Sequence, residues 1–250
     1  MKKALIIGFG RFGQLLARIL ESEFEILVME HDDSLRPLIA ARKYKLVGKE
    51  QIPEADCIFL AVPISKTEEV IRSISGFVKE NQLVMDVCSV KVHPANLMRK
   101  YLTGCQLLAT HPMFGPDSAK DGLKGLKIVL CPLRVVDDLV EYWKNFWQKR
   151  SVEVIVTTPE EHDREAVYSQ AFTYTLAKMV NLMEIPEIKI TPKSFEAIKT
   201  VAEYSANDSL QLFHDMLFYN PYFKDMKAKL EKVMGQTSII LKDIEKEQDI

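Results

Sequence analysis

His111 stands in Leu108-Ala109-Thr110-His111-Pro112-Met113-Phe114-Gly115-Pro116-Asp117-Ser118, where an apolar strand delivers one histidine into a stiff, proline-flanked loop. A ring that titrates near neutrality can take the proton of an alcohol, and open α/β sheets bind their ligands in loops at the carboxyl ends of strands. The chemistry predicted is general-base catalysis on a hydroxyl group. Ser89, in Cys88-Ser89-Val90-Lys91 after another apolar strand, is placed to hydrogen-bond the reacting hydroxyl and to help orient His111. It reads equally as the N-cap of a helix opened by Val90-Lys91-Val92-His93-Pro94. Lys91 is either a phosphate or carboxylate contact or an ordinary solvated side chain, and His93 reads as a surface residue.

The amino terminus supplies a second constellation. Residues 4–7 form an apolar strand that runs directly into Gly8-Phe9-Gly10-Arg11-Phe12-Gly13. Gly8 allows a tight turn, Gly10 lets backbone approach a pyrophosphate, and Gly13 lets the next helix lie close to the strand, its N-terminus facing the phosphates. A second strand over 24–29 ends in Glu30, about twenty residues beyond the glycines, as a dinucleotide-binding turn requires. A carboxylate there accepts hydrogen bonds from a ribose 2′-hydroxyl and repels a 2′-phosphate, so NAD is favoured, with NADP as the alternative. In the other reading Glu30 is a solvated strand-end acid and His31 is the residue that meets the cofactor. Ala61-Val62-Pro63, closing a strand, is where the nicotinamide half is expected.

The elements that must position these groups follow from pattern. Strand and helix signals alternate up to about residue 155, which predicts a Rossmann-type, doubly wound, mostly parallel α/β sheet. The ends of strands over 56–63, 83–87 and 105–109 then converge on one cleft carrying Ala61-Val62-Pro63, Ser89 and His111. Further strands are expected over 126–130 and 152–156, with a helix bearing Trp143, Phe146 and Trp147 between them. Beyond Thr158 helical spacing takes over, so the expected division is a dinucleotide-binding domain over 1–156 and a smaller all-helical domain over 157–250 for substrate binding and dimerisation. By analogy with other helix-only domains behind dinucleotide folds, the chain is expected to be a homodimer. The charged tail, 242–250, is expected to fray.

The 250 residues, 47% of them hydrophobic, allow one substantial core or two modest ones, and a formal net charge of −2 gives no basic excess for nucleic acid. The Met1-Lys2-Lys3 start resembles a signal peptide, but glycines and Arg11 interrupt the apolar run, so it reads as the first strand. No stretch approaches the ~18 uninterrupted apolar residues of a membrane helix. The expectation is a soluble, cytoplasmic protein without membrane contact. Cys57, Cys88, Cys105 and Cys131 lack metal-ligand spacing and read as reduced core thiols.

Gly8-Phe9-Gly10, Asp86-Val87-Cys88-Ser89-Val90-Lys91, Thr110-His111-Pro112-Met113-Phe114-Gly115-Pro116 and Glu161-His162-Asp163 resemble, in order and spacing, the TyrA-type prephenate and arogenate dehydrogenases of tyrosine biosynthesis. Ser169-Gln170-Ala171-Phe172-Thr173, Ala206-Asn207-Asp208-Ser209 and Phe218-Tyr219-Asn220-Pro221 resemble the plant-type arogenate branch in particular. The resemblance implies NAD(P)-dependent oxidative decarboxylation, with arogenate to tyrosine favoured over prephenate to 4-hydroxyphenylpyruvate. It assigns His111 the ring hydroxyl proton and Ser89 the holding of histidine and substrate. Ser169, Gln170 and Thr173 line either the substrate cleft or a hydrated groove, and His162-Asp163 read as a structural cap ahead of a helix. Lys91, the amides near Gly115 and a residue from a partner subunit are candidates for the ring carboxylate. Two departures bear on the substrate: Tyr174 stands where many relatives carry histidine, and 199–217 holds no arginine. Both favour arogenate, whose ammonium Asp208 or Glu203 is able to pair. The plant-type branch usually goes with NADP, against the electrostatics of Glu30-His31. Other readings are a two-domain β-hydroxyacid or imine-type reductase, and an inactive dinucleotide-responsive binding protein.

Overall fold

The computed structural model describes residues 2–206 and 209–248. Elements run in the order β1 (Lys2–Ile7), α1 (Arg11–Leu20), β2 (Phe24–Met29), α2 (Arg36–Ala41), β3 (Lys45–Leu46), β4 (Cys57–Leu60), α3 (Thr67–Ile74), β5 (Leu83–Asp86), α4 (Val92–Tyr101), β6 (Gln106–Pro112), β7 (Lys127–Arg134), α5 (Asp137–Gln148) and β8 (Glu153–Val156). Helices follow: α6 (Pro159–Ala166), a π-helical turn over Val167–Ala171, α7 (Phe172–Leu182), α8 (Lys193–Ala206), α9 (Leu210–Phe218) and α10 (Phe223–Gln248). The expected fraying tail is helical through Gln248.

The strands form one sheet in the order β3-β2-β1-β4-β5-β6-β7-β8, with the doubly wound plan expected from the alternation. Neighbours are parallel except β6 and β7. Apolar runs make these strands because both faces of the sheet are covered. Ala4 and Ile6 point to the layer of Leu16, Leu20, Trp143 and Phe146 from α1 and α5. Leu5 and Ile7 point to the layer of Ile71, Ile74, Leu97 and Met98 from α3 and α4. Phe24 stacks on Trp143 with ring centroids 5.8 Å apart.

One local expectation changes. β6 does not end at Ala109 but continues through Pro112, because Thr110, His111 and Pro112 pair antiparallel with Leu130, Val129 and Ile128. His111 is therefore a buried strand residue at the sheet's carboxyl edge, not a loop residue. The short edge strand β3, too brief to show periodicity, was not expected.

Beyond β8, Val167, Ala171 and Met226 form a small apolar cluster that joins the π turn to α10. Past Leu230 the side chains of α10 are exposed through 247. Among the described residues no helix is long and apolar enough to cross a membrane.

Candidate active site

Parallel pairing of β4, β5 and β6 aligns Leu60, Asp86 and Ala109, so the residues that follow each strand emerge along one edge. Asp86, fully buried there, accepts hydrogen bonds from the Cys88 amide at 3.0 Å and the Thr110 amide at 3.3 Å. The chain then turns back, and the Lys91 ammonium donates to the Asp86 carboxylate and to the Thr110 carbonyl. A buried charge requires such a partner. Lys91 is thus no contact for phosphate or substrate: its side chain is wholly enclosed beneath the site. Ser89 is half-buried and, among the described residues, makes no hydrogen bond to His111. It does not cap α4 either.

That cap comes from far along the chain. Asp163 accepts from the Lys91 amide at 2.7 Å and the Val92 amide at 2.9 Å, supplying the negative charge a helix N-terminus favours. His162 and Asp163 lie within α6 rather than ahead of it. His162 Nδ1 is 2.8 Å from Asp163 Oδ1, and its Nε2 is 2.8 Å from His111 Nδ1. Three side chains thus form a line ending at His111. His111 Nε2 has no hydrogen-bond partner among the described residues, yet it is not among the fully enclosed unpartnered atoms. Burial, then the neighbouring His162 and the Lys91 charge, hold His111 well below the usual histidine range. The Glu161-His162-Asp163 motif was visible in the sequence, but its contact with His111, 51 positions away, is a tertiary fact.

At the glycine turn, Gly8 has φ of +96°, and a side chain there would meet the Ala61 carbonyl oxygen at 2.4 Å. At Gly13 it would meet the Gly8 carbonyl oxygen at 2.2 Å. Gly10, by contrast, faces open space, and no side chain caps the N-terminus of α1 that it opens. An open, uncapped helix start suits a pyrophosphate. Glu30 stands beside it, accepting the Phe9 amide at 2.6 Å, the His31 amide at 2.7 Å and the Asp32 amide at 2.9 Å. Burial opposes its ionisation, but these amides outweigh burial and hold the carboxyl below its ordinary value. The fit to a dinucleotide is therefore good at Gly10 and Glu30. Phe9 contributes differently from expectation: its ring is in the core against Tyr44 and its amide is taken by Glu30. Phe12 packs toward Phe114. Arg11 pairs with both carboxylate oxygens of Asp117 at 2.8 Å, tying the turn to the loop after β6. The His31 ring is solvent-exposed beside Glu30. Ala61 and Val62 are half-buried and Pro63 is exposed at the end of β4. The Gly115 amide is bonded to Ser118 Oγ at 2.9 Å and is not free for a carboxylate.

On the helices, Ser169 Oγ donates to the Glu165 carbonyl and Thr173 Oγ1 to the Ser169 carbonyl, both within their own helical run. Gln170 differs: its Oε1 is enclosed and, among the described residues, has no partner. It lies in the π turn, a distortion often found at functional sites. Asp208 lies outside the described residues. Glu203 is exposed. His93 is half-buried rather than on the surface, its ring 4.3 Å from that of Tyr219. His214 is exposed and leans on Phe218. Sequence reasoning missed Asp215, a buried carboxylate on α9 that accepts the Ser65 amide at 2.9 Å, and Asn220, which donates to the Asp163 carbonyl at 3.0 Å. Asp215 binds α9 to the loop after β4, and Asn220 binds the segment before α10 to α6. Cys88 is buried and its thiol is pushed up to about 12, which makes it inert. Among the described residues no group of metal-ligating side chains gathers.

The chain is 29% identical to arogenate dehydrogenase 2, chloroplastic, of Arabidopsis thaliana over 92% of this chain and 67% of that protein. It is 27% identical to a probable arogenate/prephenate dehydrogenase of Methanocaldococcus jannaschii over 98% of this chain and 57% of that protein. The chain spans between about a third and two thirds of the length of the curated relatives it matches first. A prephenate dehydrogenase from A. aeolicus, solved with hydroxyphenyl propionate and NAD+, shares the fold with a TM-score of 0.76 at 18% identity, covering 99% of this chain and 93% of that one. Synechocystis arogenate dehydrogenase does so with a TM-score of 0.68 at 16% identity, over 96% and 93%. The model of a TYRAAT1-like C-terminal domain matches residues 179–249. With the model of the prephenate dehydrogenase nucleotide-binding domain matching residues 27–156, more than half of this chain, the chain belongs to the prephenate dehydrogenase family.

Proposed function

We propose that this enzyme converts arogenate to tyrosine by oxidative decarboxylation, with NAD+ as the preferred acceptor. The observation that carries the reading is His111 at the carboxyl edge of β6, its Nε2 without a partner among the described residues, on the same sheet edge as the glycine turn. NAD+ supplies a hydride acceptor when bound. Gly10, Arg11, Phe12 and Gly13 at the start of α1 would hold its pyrophosphate and Glu30 its ribose, while Ala61, Val62 and Pro63 would border the nicotinamide. His111 takes the proton of the ring hydroxyl as the carbinol carbon gives up its hydride. The ring carboxylate then leaves as CO2, its bonding electrons complete the aromatic ring, and His111 returns the proton to the phenolic oxygen. A neutral imidazole is the form this step needs, and the depressed affinity of His111 for protons keeps it in that form.

Ser89, half-buried in the segment after β5, is assigned to the substrate hydroxyl. Gln170, with its amide acceptor, and Thr173 on the same helical run are assigned to the side chain of the substrate. An acceptor of that kind suits the N–H groups of an ammonium, which arogenate has and prephenate lacks. Residues 1–156 would then serve the dinucleotide and 157–250 the substrate and a second copy of the chain. The exposed apolar positions Ile239, Ile240, Leu241 and Ile244 of α10 support that homodimer. Four free, buried cysteines accord with a reducing compartment, the cytoplasm in this reading.

The deciding assay follows NADH or NADPH absorbance with purified protein and each of arogenate and prephenate. The expected result is the higher kcat/KM for arogenate with NAD+. Dominance of prephenate would overturn the substrate, and dominance of NADP+ would overturn the role given to Glu30. His111→Asn should lower kcat by about 10²–10⁴-fold and leave NAD+ binding unchanged. A near-normal rate in that variant removes the histidine from the mechanism.

A further inference from the structure

Asp163 has two functions in this fold, and the second has consequences for the base. Its oxygens accept the Lys91 and Val92 amides at 2.7 and 2.9 Å, so toward His162 Nδ1, at 2.8 Å, the carboxylate is an acceptor as well. A carboxylate that accepts requires a proton on His162 Nδ1, and a neutral ring then has its lone pair at Nε2. That lone pair faces His111 Nδ1 at 2.8 Å, which must in turn be the protonated nitrogen. The lone pair of His111 is left on Nε2, the nitrogen without a partner among the described residues.

We propose that His162 and Asp163 are positioning residues that fix the His111 tautomer, presenting an unprotonated Nε2 to the substrate hydroxyl. This rests on the role given to His111 above. When Nε2 receives the substrate proton, the Nδ1 proton of His111 is free to move to His162 Nε2. The positive charge then resides on His162 against the Asp163 carboxylate, and returns along the same line when the phenolic oxygen is reprotonated. Asn220, which donates to the Asp163 carbonyl at 3.0 Å, holds this residue in register from the segment before α10.

Long-range 15N NMR of histidine-labelled, ligand-free protein reads the tautomer directly. The expected spectrum has His111 protonated at Nδ1 and unprotonated at Nε2. Kinetics supply an independent arm, because His162→Phe keeps a ring of similar shape and leaves Asp163 on its helix cap. It should lower kcat by about 10²-fold with KM for both substrates little changed, whereas His162→Gln, whose amide oxygen still accepts from Nδ1–H, should recover most of the rate. A purely structural role would make phenylalanine at least as good as glutamine. A proton found on His111 Nε2, or wild-type kcat in His162→Phe, overturns the proposal. Loss of activity in His111→Asn with wild-type kcat in His162→Phe would sink the positioning chain and leave the proposed reaction standing. Failure of the wild-type enzyme to oxidise either cyclohexadienyl substrate would sink the reaction, while the NMR result stands by itself.

Discussion

At the scale of single residues, the environment of His111 sets both its chemistry and a cost. Enclosed in the sheet, with His162 beside it and the Lys91 ammonium beneath, the imidazole binds a proton less readily than in the unfolded chain. The unfolded ring titrates near about 6.5, so stability is complete above that pH and falls as pH drops toward the lower folded value. His93, lowered by its burial, acts in the same direction. Urea midpoints should be lower at about pH 5.5 than at about pH 7.5, and His111→Asn should narrow the difference. The Asp86–Lys91 pair makes a second case. Lys91→Met would leave a buried carboxylate without its cation, which costs on the order of 3–5 kcal/mol, and chemical denaturation should register that loss. Sequence shows a lysine beside a serine at a helix start, which suits a ligand contact equally well. Only the fold-back toward Thr110 decides that it serves the interior. His111, the glycines and Glu30 were legible because their positions follow from local pattern, whereas the partner of His111 depends on α6 meeting β6.

Elements explain why three glycines that look alike in sequence are not equivalent. Gly8→Ala and Gly13→Ala would force a Cβ against backbone carbonyl oxygens 2.4 and 2.2 Å away. Each should destabilise the protein by at least about 2 kcal/mol in urea unfolding, since backbone is unable to yield as a flexible side chain does. Gly10→Ala meets nothing within 4 Å at φ of −64°. It should keep the melting temperature and raise KM for NAD+, which separates a folding glycine from a binding one. Strands buried on both faces were readable as apolar runs, and the aromatic helix α5 as a periodic one. The antiparallel entry of β7 was not, because direction leaves no trace in composition, and with it went the extension of β6 that draws His111 into the sheet. The π turn over Val167–Ala171 was equally hidden, since the segment holds no Gly or Pro to mark an irregularity.

At the scale of the whole molecule, α10 presents Val233, Met234, Ile239, Ile240, Leu241 and Ile244, each about half or more exposed, on a helix whose last turns touch little else. Apolar exposure of this extent marks an interface, and Ile240→Glu should shift sedimentation from dimer to monomer if a second copy covers it. The alternation of strands and helices was enough to read the sheet, but not how its two halves are fastened. That fastening includes Asp163 on the start of α4, His162 on His111, and Asp215 on Ser65. A fragment severed after Val156 would retain the entire sheet and the glycine turn, yet its fourth helix would begin with bare amides and its histidine would lose the neighbour that fills Nδ1. Such a truncated protein should still retain dinucleotide on an affinity resin while being less stable and without turnover, so the autonomy suggested by a two-part architecture extends to holding the coenzyme and stops short of using it.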